Sequence, residues 1–408
     1  MRIAYFTESL PPLTDGVART FTRLAEFLTK RGVEFLFVSP ALPHEAYPWR
    51  GRVIQVPSLT FPLYCYYRVG LPNPAKLDLA LDRFRPDLLH VAAPTPLGFY
   101  AQGYAKRRGL PSVASYHTHF VDYFPYYGFK WASGWGWAYL RYFYNRSAAT
   151  FVPTPSAASD LAAHGFKGVQ LWPRGIDRRK FSPLFRSPSL RKRLGLEPGE
   201  KLFLFAGRMV GEKGLRDLSQ AAGILRDQGC RFRMVFAGDG PYRKVMENFL
   251  PGDIFLGFTQ GRALSELYAS SDLFLFPSPT ETFGNVVLEA FASGLPVVAV
   301  NQGGPVDLVR PHWNGLLAKP RDPEDFAAKV RSLLDSPEAL PKLSEGALET
   351  ASRHDWFTIN GRLLSHYGQV LRRQHGPHPA PASRRLPPPG RSTARLFNRR
   401  PLRRLLPI

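Results

Sequence analysis

Three groups of side chains carry recognisable chemistry. The first is the turn Gly207-Arg208-Met209-Val210-Gly211-Glu212-Lys213-Gly214, which follows the apolar run Leu202–Ala206. Glycines at a strand-to-helix turn let the backbone approach an anion near a helix N-terminus, and Arg208 and Lys213 supply the opposing charge. The turn lacks the Gly-Lys-Ser/Thr ending of a P-loop and is no G-x-G-x-x-G, so a basic capping turn is an equal reading of it taken alone. The second group lies in Phe276-Pro277-Ser278-Pro279-Thr280-Glu281-Thr282-Phe283-Gly284-Asn285-Val286-Val287-Leu288-Glu289. Glu281 sits in the loop after an apolar strand and Glu289 inside the helix that follows. From Gly284 to Glu289 that helix advances about 7.5 Å. Glu281 therefore meets one end of an extended polar ligand and Glu289 a point well along it, with the amides of Phe283, Gly284 and Asn285 donating between them. Carboxylates accept paired hydrogen bonds from vicinal hydroxyls, so a sugar at one end and a ribose at the other match the pair. Spacing alone does not separate this from an ordinary helical Glu289 and a loop Glu281. The third group is Ser115-Tyr116-His117-Thr118-His119-Phe120. His-x-His invites a metal, but no acidic ligand cluster accompanies it, and such a pair is more often structural than catalytic.

These groups need a scaffold that brings them to one edge. Apolar strands at Arg2–Phe6, Glu34–Val38, Leu88–Ala92, Ser112–Tyr116 and Thr150–Val152 alternate with helical stretches, the first running from Val17 to about Lys30. A second series has strands at Lys201–Ala206, Phe232–Ala237, Asp253–Leu256, Asp272–Phe276 and Pro296–Val300. Helices follow at about 214–227, 241–249, 262–269 and 284–293, and further helical runs at 322–335 and 355–373 close the folded part. Short apolar strands separated by helices imply parallel sheets covered on both faces. The Pro- and Gly-bearing stretch 181–200 reads as a linker. An α/β protein of two Rossmann-like domains with a cleft between them follows, and ligands in such sheets collect at the carboxyl ends of the strands.

Composition narrows the class. The chain has 408 residues, enough for about two to three domains, and its 44% hydrophobic content fits a folded protein. Cys65 and Cys230 are too few for a disulfide framework or a four-thiolate zinc site. No apolar run approaches bilayer length, and Glu8 and Pro11-Pro12 come too early for a signal-peptide core, so a soluble cytoplasmic protein is expected. The net charge of +22 is uneven. Residues 1–180 hold 22 basic and 11 acidic side chains and residues 376–408 hold eight arginines and no acid, while the remainder is nearly balanced. Such a distribution suits nucleic acid or an anionic membrane surface, and the tail from residue 374 reads as disordered and Pro/Arg-rich.

Arg208 and Lys213 after one strand and Glu-x7-Glu after a later one, together with Gly238-Asp239-Gly240-Pro241, Leu256-Gly257-Phe258-Thr259, Leu267-Tyr268-Ala269 and Ser293-Gly294-Leu295-Pro296, resemble the GT-B glycosyltransferases of family 4 over about residues 1–373. The resemblance implies an acceptor-binding domain at 1–180, a nucleotide-sugar domain at 201–354 and a helix at 355–373 that crosses back to the first domain. It implies that Arg208 and Lys213 hold the donor diphosphate, that Glu281 binds hydroxyls of the transferred sugar, and that Glu289 binds the ribose. Gly257 and Phe258 would lie against the base, with Gly207, Phe283, Gly284 and Asn285 completing the donor site. The loop after the first strand often has two glycines in the family. Here it has Asp15-Gly16, and only Gly16 transfers as the residue whose missing side chain admits a phosphate. His117 aligns with the family histidine beside the reacting carbon. His119 has no clear counterpart. The resemblance implies a retaining, metal-independent hexosyltransferase with no cofactor beyond its nucleotide-sugar donor.

Pro94-Thr95-Pro96-Leu97-Gly98, the aromatic run from Phe120 to Phe143, and Trp172-Pro173-Arg174-Gly175-Ile176-Asp177 resemble the branch that glycosylates lipids, including mannosyl- and glucosyltransferases and sulfoquinovosyl-diacylglycerol synthases. Tyr123-Phe124-Pro125-Tyr126-Tyr127 and Trp131–Trp137, with Lys130, Arg141 and Arg146, would make an amphipathic surface for a lipid interface, although half or more of these aromatics are expected to pack a core. The expected function is transfer of mannose or glucose to the hydroxyl of a lipid or glycolipid, with peripheral contact at the inner membrane face. A soluble or polysaccharide acceptor, a GT-B nucleotide-sugar epimerase and, remotely, a nucleic-acid-binding protein are the alternatives, with no specific nucleic-acid partner expected.

Overall fold

The computed structural model describes residues 1–61, 64–119, 121, 124, 128–336 and 338–375. The arginine-rich stretch 376–408 and, within the aromatic run, Phe120, Tyr123, Pro125, Tyr126 and Tyr127 lie outside the described residues. The first half runs β1 (Arg2–Phe6), α1 (Gly16–Lys30), β2 (Glu34–Ser39), β3 (Val53–Gln55), β4 (Ser58–Phe61), β5 (Tyr64–Gly70) and α2 (Pro74–Phe84). It continues through β6 (Leu88–Val91), α3 (Pro96–Arg108), β7 (Ser112–Ser115), α4 (Ser133–Tyr144), β8 (Thr150–Val152), α5 (Pro155–Ala163) and β9 (Val169–Leu171). Strands β3-β2-β1-β6-β7-β8-β9 form one parallel sheet in that order, and β4 and β5 form a separate antiparallel pair. All of β6 and β7 and four of the five residues of β1 are buried, as a sheet covered by helices on both faces requires.

The second half runs α6 (Pro188–Arg193), β10 (Lys201–Ala206), α7 (Leu215–Asp227), β11 (Phe232–Ala237), α8 (Arg243–Phe249), β12 (Ile254–Gly257) and α9 (Gly261–Ser270). After it come β13 (Leu273–Phe276), α10 (Asn285–Ala292), β14 (Val297–Val300), α11 (Pro305–Leu308), β15 (Gly315–Ala318), α12 (Pro323–Leu334), α13 (Ala339–Ser352) and α14 (Trp356–His375). Its sheet is parallel with the order β12-β11-β10-β13-β14-β15. In each sheet the order reverses beside the first strand, between β1 and β6 and between β10 and β13. A crevice opens at such a switch point outside the carboxyl ends of the strands. The loops that carry Gly16, Arg208, Lys213 and Glu281 leave β1, β10 and β13, the strands that flank those two crevices.

Three features differ from the sequence reading. The stretch 181–200 is not an open linker. Pro183–Phe185 makes a 3-10 turn and α6 a short helix, and Phe181, Leu190, Leu194 and Leu196 pack into the core of the second sheet. The helix at the end of the chain continues to His375, so residues 374 and 375 are helical rather than part of the tail. Short strands without strong alternation, β3, β9 and β15 among them, were not signalled by periodicity, because three or four residues are too few to show a period. α14 belongs to the core of the first sheet. Its Ile359, Leu363, Tyr367 and Val370 pack with Ile3, Tyr5, Phe21, Phe37 and Trp172.

Candidate active site between the two sheets

The second sheet presents its basic turn through β10 and α7. Gly211–Lys213 forms a 3-10 turn that ends on Gly214, a left-handed residue with φ 67°. A Cβ at Gly214 would lie 2.3 Å from the carbonyl oxygen of Pro277, so only glycine lets this turn press on the end of β13. That approach brings together two residues distant in sequence: the Lys213 ammonium donates to Oε1 of Glu281 in an ion pair. Lys213 is buried and Glu281 partly exposed. The ammonium keeps two further protons and the carboxylate a second oxygen, so the pair can hold an anion on one side and hydroxyls on the other. The loop carrying Glu281 is fixed from behind, where the Gly304 amide donates to the Glu281 carbonyl at 2.6 Å. Arg208 lies exposed at the same mouth.

Glu289 lies in the second turn of α10, a helix that starts after Gly284 with no side-chain cap. Its carboxylate is buried, and it accepts from Arg19 Nη1 at 2.8 Å and from the Tyr268 hydroxyl at 3.1 Å. Burial pushes its pKa up, while Arg19 and Tyr268 act in the opposite direction. Arg19 is on α1, so this ion pair spans the crevice. One turn earlier on the same face of α1, a Cβ at Gly16 would sit 2.7 Å from Nδ2 of Asn285. The missing side chain at Gly16 also lets the amide of Asn285 approach. Asp15 caps α1 by accepting from the amides of Val17 and Ala18. The starts of α1 and α10 therefore face each other, and both present the positive ends of their dipoles to the gap.

Gly207 leaves β10 on the edge shared with Glu281, whereas Gly257 and Phe258 end the edge strand β12 two strands away, with Phe258 65% exposed. Phe283 is buried and stacks edge-on with His354 at 6.2 Å. Across the gap, His117 has both ring nitrogens engaged. Arg174 Nη2 donates to Nδ1 at 2.8 Å, which leaves Nε2–H for Ser115 Oγ at 2.8 Å. Burial, then Arg174 and His90, holds the His117 pKa well below the usual imidazole range. It is neutral, packed between Phe21 and Trp172. His119 approaches the Tyr116 hydroxyl at 3.3 Å and Asp160 at 3.8 Å.

Sequence reasoning missed Arg19, Tyr268 and Arg174. Arg174 is a buried guanidinium, pushed down to about 9 by burial, whose Nη1 donates to the Trp172 carbonyl at 2.7 Å. The signal for Arg19 was its place one turn after Gly16 on one face of α1. Tyr268 lay in a quoted segment, but nothing in its sequence neighbourhood points to Glu289, twenty-one residues on.

Of the aromatic run, Leu140, Phe143 and Tyr144 on α4 are buried, and Trp137 stacks on His164 at 3.8 Å. The opposite face is open to solvent at its tryptophans: Trp135 is 79% exposed and Trp131, in the turn just before α4, 77%. Tyr139 and Tyr142 are exposed but lie near Phe99, with the Tyr139 hydroxyl donating to the Pro94 carbonyl at 2.6 Å. The Arg146 guanidinium covers Tyr142 at 5.4 Å. Among the described residues no helix is long and apolar enough to cross a membrane.

Comparison with known sequences matches residues 14–180 to the family described as Glycosyltransferase Family 4 and residues 187–350 to Glycosyl transferases group 1. A sulfoquinovosyl transferase of Arabidopsis thaliana is 35% identical over 375 residues, 89% of this chain and 72% of the plant protein. A GDP-mannose-dependent alpha-mannosyltransferase of Mycolicibacterium smegmatis is 34% identical over 92% of this chain and 99% of its own length. Among solved structures, a sucrose-phosphate synthase from Thermosynechococcus elongatus superposes with a TM-score of 0.73 at 20% identity, over 90% of this chain and 98% of that one.

Proposed function

This chain belongs to family 4 of the glycosyltransferases and has the GT-B fold, and we propose that it moves a hexose from a nucleoside-diphosphate sugar to the hydroxyl of a lipid or glycolipid. The observation that carries the donor half is the Lys213–Glu281 pair beside Arg208 at the mouth of the second sheet, with Glu289 further along the same crevice. The difficult step is departure of the nucleoside diphosphate from the anomeric carbon, which leaves negative charge on the β-phosphate and positive charge on the sugar. Lys213, Arg208 and the converging starts of α1 and α10 meet the first charge, a preorganised electrostatic contribution. Glu281 orients sugar hydroxyls, Glu289 the ribose, and Phe258 covers the base. Neutral His117, held uncharged by burial and then by Arg174, adds no charge of its own beside the sugar. The acceptor oxygen attacks the face that the phosphate leaves, and a phosphate oxygen takes the acceptor proton, so the anomeric configuration is retained without a carboxylate pair. Two fixed cations do the neutralising that a divalent ion does elsewhere, so the reaction proceeds without metal.

The exposed aromatic face of Trp131, Trp135, Tyr139 and Tyr142, on the half that holds 22 basic against 11 acidic side chains, supports an acceptor delivered from an anionic lipid surface. The donors named for the relatives make mannose from GDP-mannose the first choice. The test is acceptor-dependent nucleotide release from GDP-mannose and UDP-glucose, with diacylglycerol vesicles, with a soluble polyol and without acceptor, in excess chelator. Vesicle-dependent release with an axial product linkage is expected from these α-linked donors. Release of a free epimer without acceptor would replace transfer by epimerisation.

A further inference from the structure

Glu289 is shielded from solvent, yet its cation comes from the other side of the crevice. Arg19 Nη1 donates to Oε1 at 2.8 Å and the Tyr268 hydroxyl to Oε2 at 3.1 Å. A carboxylate offers about four lone-pair sites. With one donor on each oxygen, one site per oxygen remains, which suits the two hydroxyls of a vicinal diol. The guanidinium of Arg19 stays about half exposed while its partner is enclosed, so the arginine reaches into the gap and the glutamate does not reach out. Removing one partner of an enclosed ion pair leaves the other charge unmatched, and an unmatched enclosed carboxyl takes up a proton and loses half of its capacity to accept.

We propose that Arg19 is a positioning residue of the donor site: from the first domain it holds the Glu289 carboxylate ionised and oriented for the ribose diol, so that nucleotide recognition is complete only while the two sheets face each other. The inference rests on the assignment of Glu289 to the ribose. Arg19 need not touch the nucleotide. The approach of Gly16 to Asn285 beside it is a second contact between α1 and α10, so the two sheets meet at two points along this crevice.

The test uses the full chain and calorimetric titration with GDP, UDP and ADP, each against its 2′,3′-dideoxy analogue. For the nucleotide that the wild type binds most tightly, Arg19→Ala is expected to weaken binding of the ribose form roughly tenfold, the scale of one charge-assisted hydrogen bond. The same variant should leave the dideoxy form unchanged. Arg19→Lys should recover part of the loss, and in a Glu289→Gln background Arg19→Ala should add nothing. A loss of equal size for ribose and dideoxy forms, or no loss at all in a variant that unfolds at the wild-type temperature, overturns the role of Arg19. A wild type that binds none of the three nucleotides, or that binds ribose and dideoxy forms alike, overturns instead the ribose assignment on which it rests.

Discussion

The two walls of the crevice share one architecture and differ in chemistry. The second sheet offers charge at its mouth: an exposed Arg208 and a Lys213–Glu281 pair open to the gap. The first sheet, apart from Arg19 on α1, keeps its site-side titratable groups enclosed. His90 and His117 are held neutral, Arg174 is buried without a carboxylate among its hydrogen-bond partners, and Glu8 is enclosed beside Thr95. Burial pushes Glu8 up to about 7. A charged wall suits a diphosphate that must leave. A wall rich in rings, with uncharged histidines and its Arg174 guanidinium enclosed behind His117, suits an acceptor that arrives with an apolar tail.

The contrast is most sharply tested where it is strongest. Lys213→Ala is expected to lower kcat by roughly a hundredfold, on the scale of losing one preorganised donor to the leaving group. Glu281→Ala should lower it by more than about tenfold. Wild-type turnover in a folded Lys213→Ala protein would erase the difference between the walls. Gly16→Ala tests their spacing: a methyl 2.7 Å from Nδ2 of Asn285 must displace that side chain between α1 and α10. KM for the donor should rise several-fold, on the order of 1 kcal/mol of strain, and Asn285→Ala should recover part of it in the double variant. An unchanged KM would show that the Gly16–Asn285 approach does not shape the donor site.

On the acceptor side, Trp131→Ser with Trp135→Ser should weaken binding to anionic vesicles by about tenfold or more, since each exposed indole can bury well over 1 kcal/mol of apolar surface. Equal binding by the double variant would detach the lipid reading from this face. The smallest effect belongs to Glu8. Its folded pKa of about 7 lies above the ordinary value of 4.5, so the folded state keeps a proton that the unfolded state releases between those values. Wild-type stability should fall as pH rises from about 4.5 through about 7. Glu8→Gln removes this dependence, so its melting temperature should match the wild type near pH 5 and exceed it by a few degrees at pH 8. A constant difference between the two proteins at all pH values would mean that Glu8 does not titrate there.

The same contrast explains what the sequence made legible. On the second sheet the groups lie within contiguous segments, Gly207–Gly214 and Glu281–Glu289, so the sequence could single them out, although residue type and spacing left a capping turn and an ordinary helical glutamate as equal readings and only the family resemblance favoured a ligand. Their mutual arrangement was hidden, because the contact between Lys213 and Glu281 depends on how closely Gly214 meets Pro277. On the first sheet the chemistry is assembled from single residues on separate elements. Arg19 comes from α1, His117 from the end of β7 and Arg174 from beyond β9. No local pattern links an arginine on the first helix to a glutamate 270 residues later. The aromatic run was visible, but which rings pack and which stay bare depended on the rotation of α4: Trp137 turned inward to His164 while Trp135 did not. The parallel strands were legible wherever apolar runs were long enough to show a pattern, and β15 was not.

The packing of α14 against β1 and β2 has a consequence for biosynthesis. Tyr5 and Phe37 leave the ribosome more than about three hundred residues before Ile359, Leu363 and Tyr367, which complete their cluster. The second sheet, contained within one continuous segment, can close while translation is still under way. The first must wait with an unfinished apolar surface until the final turns of helix emerge, and this makes it the half on which a chaperone, or a truncating mutation near residue 355, acts most strongly.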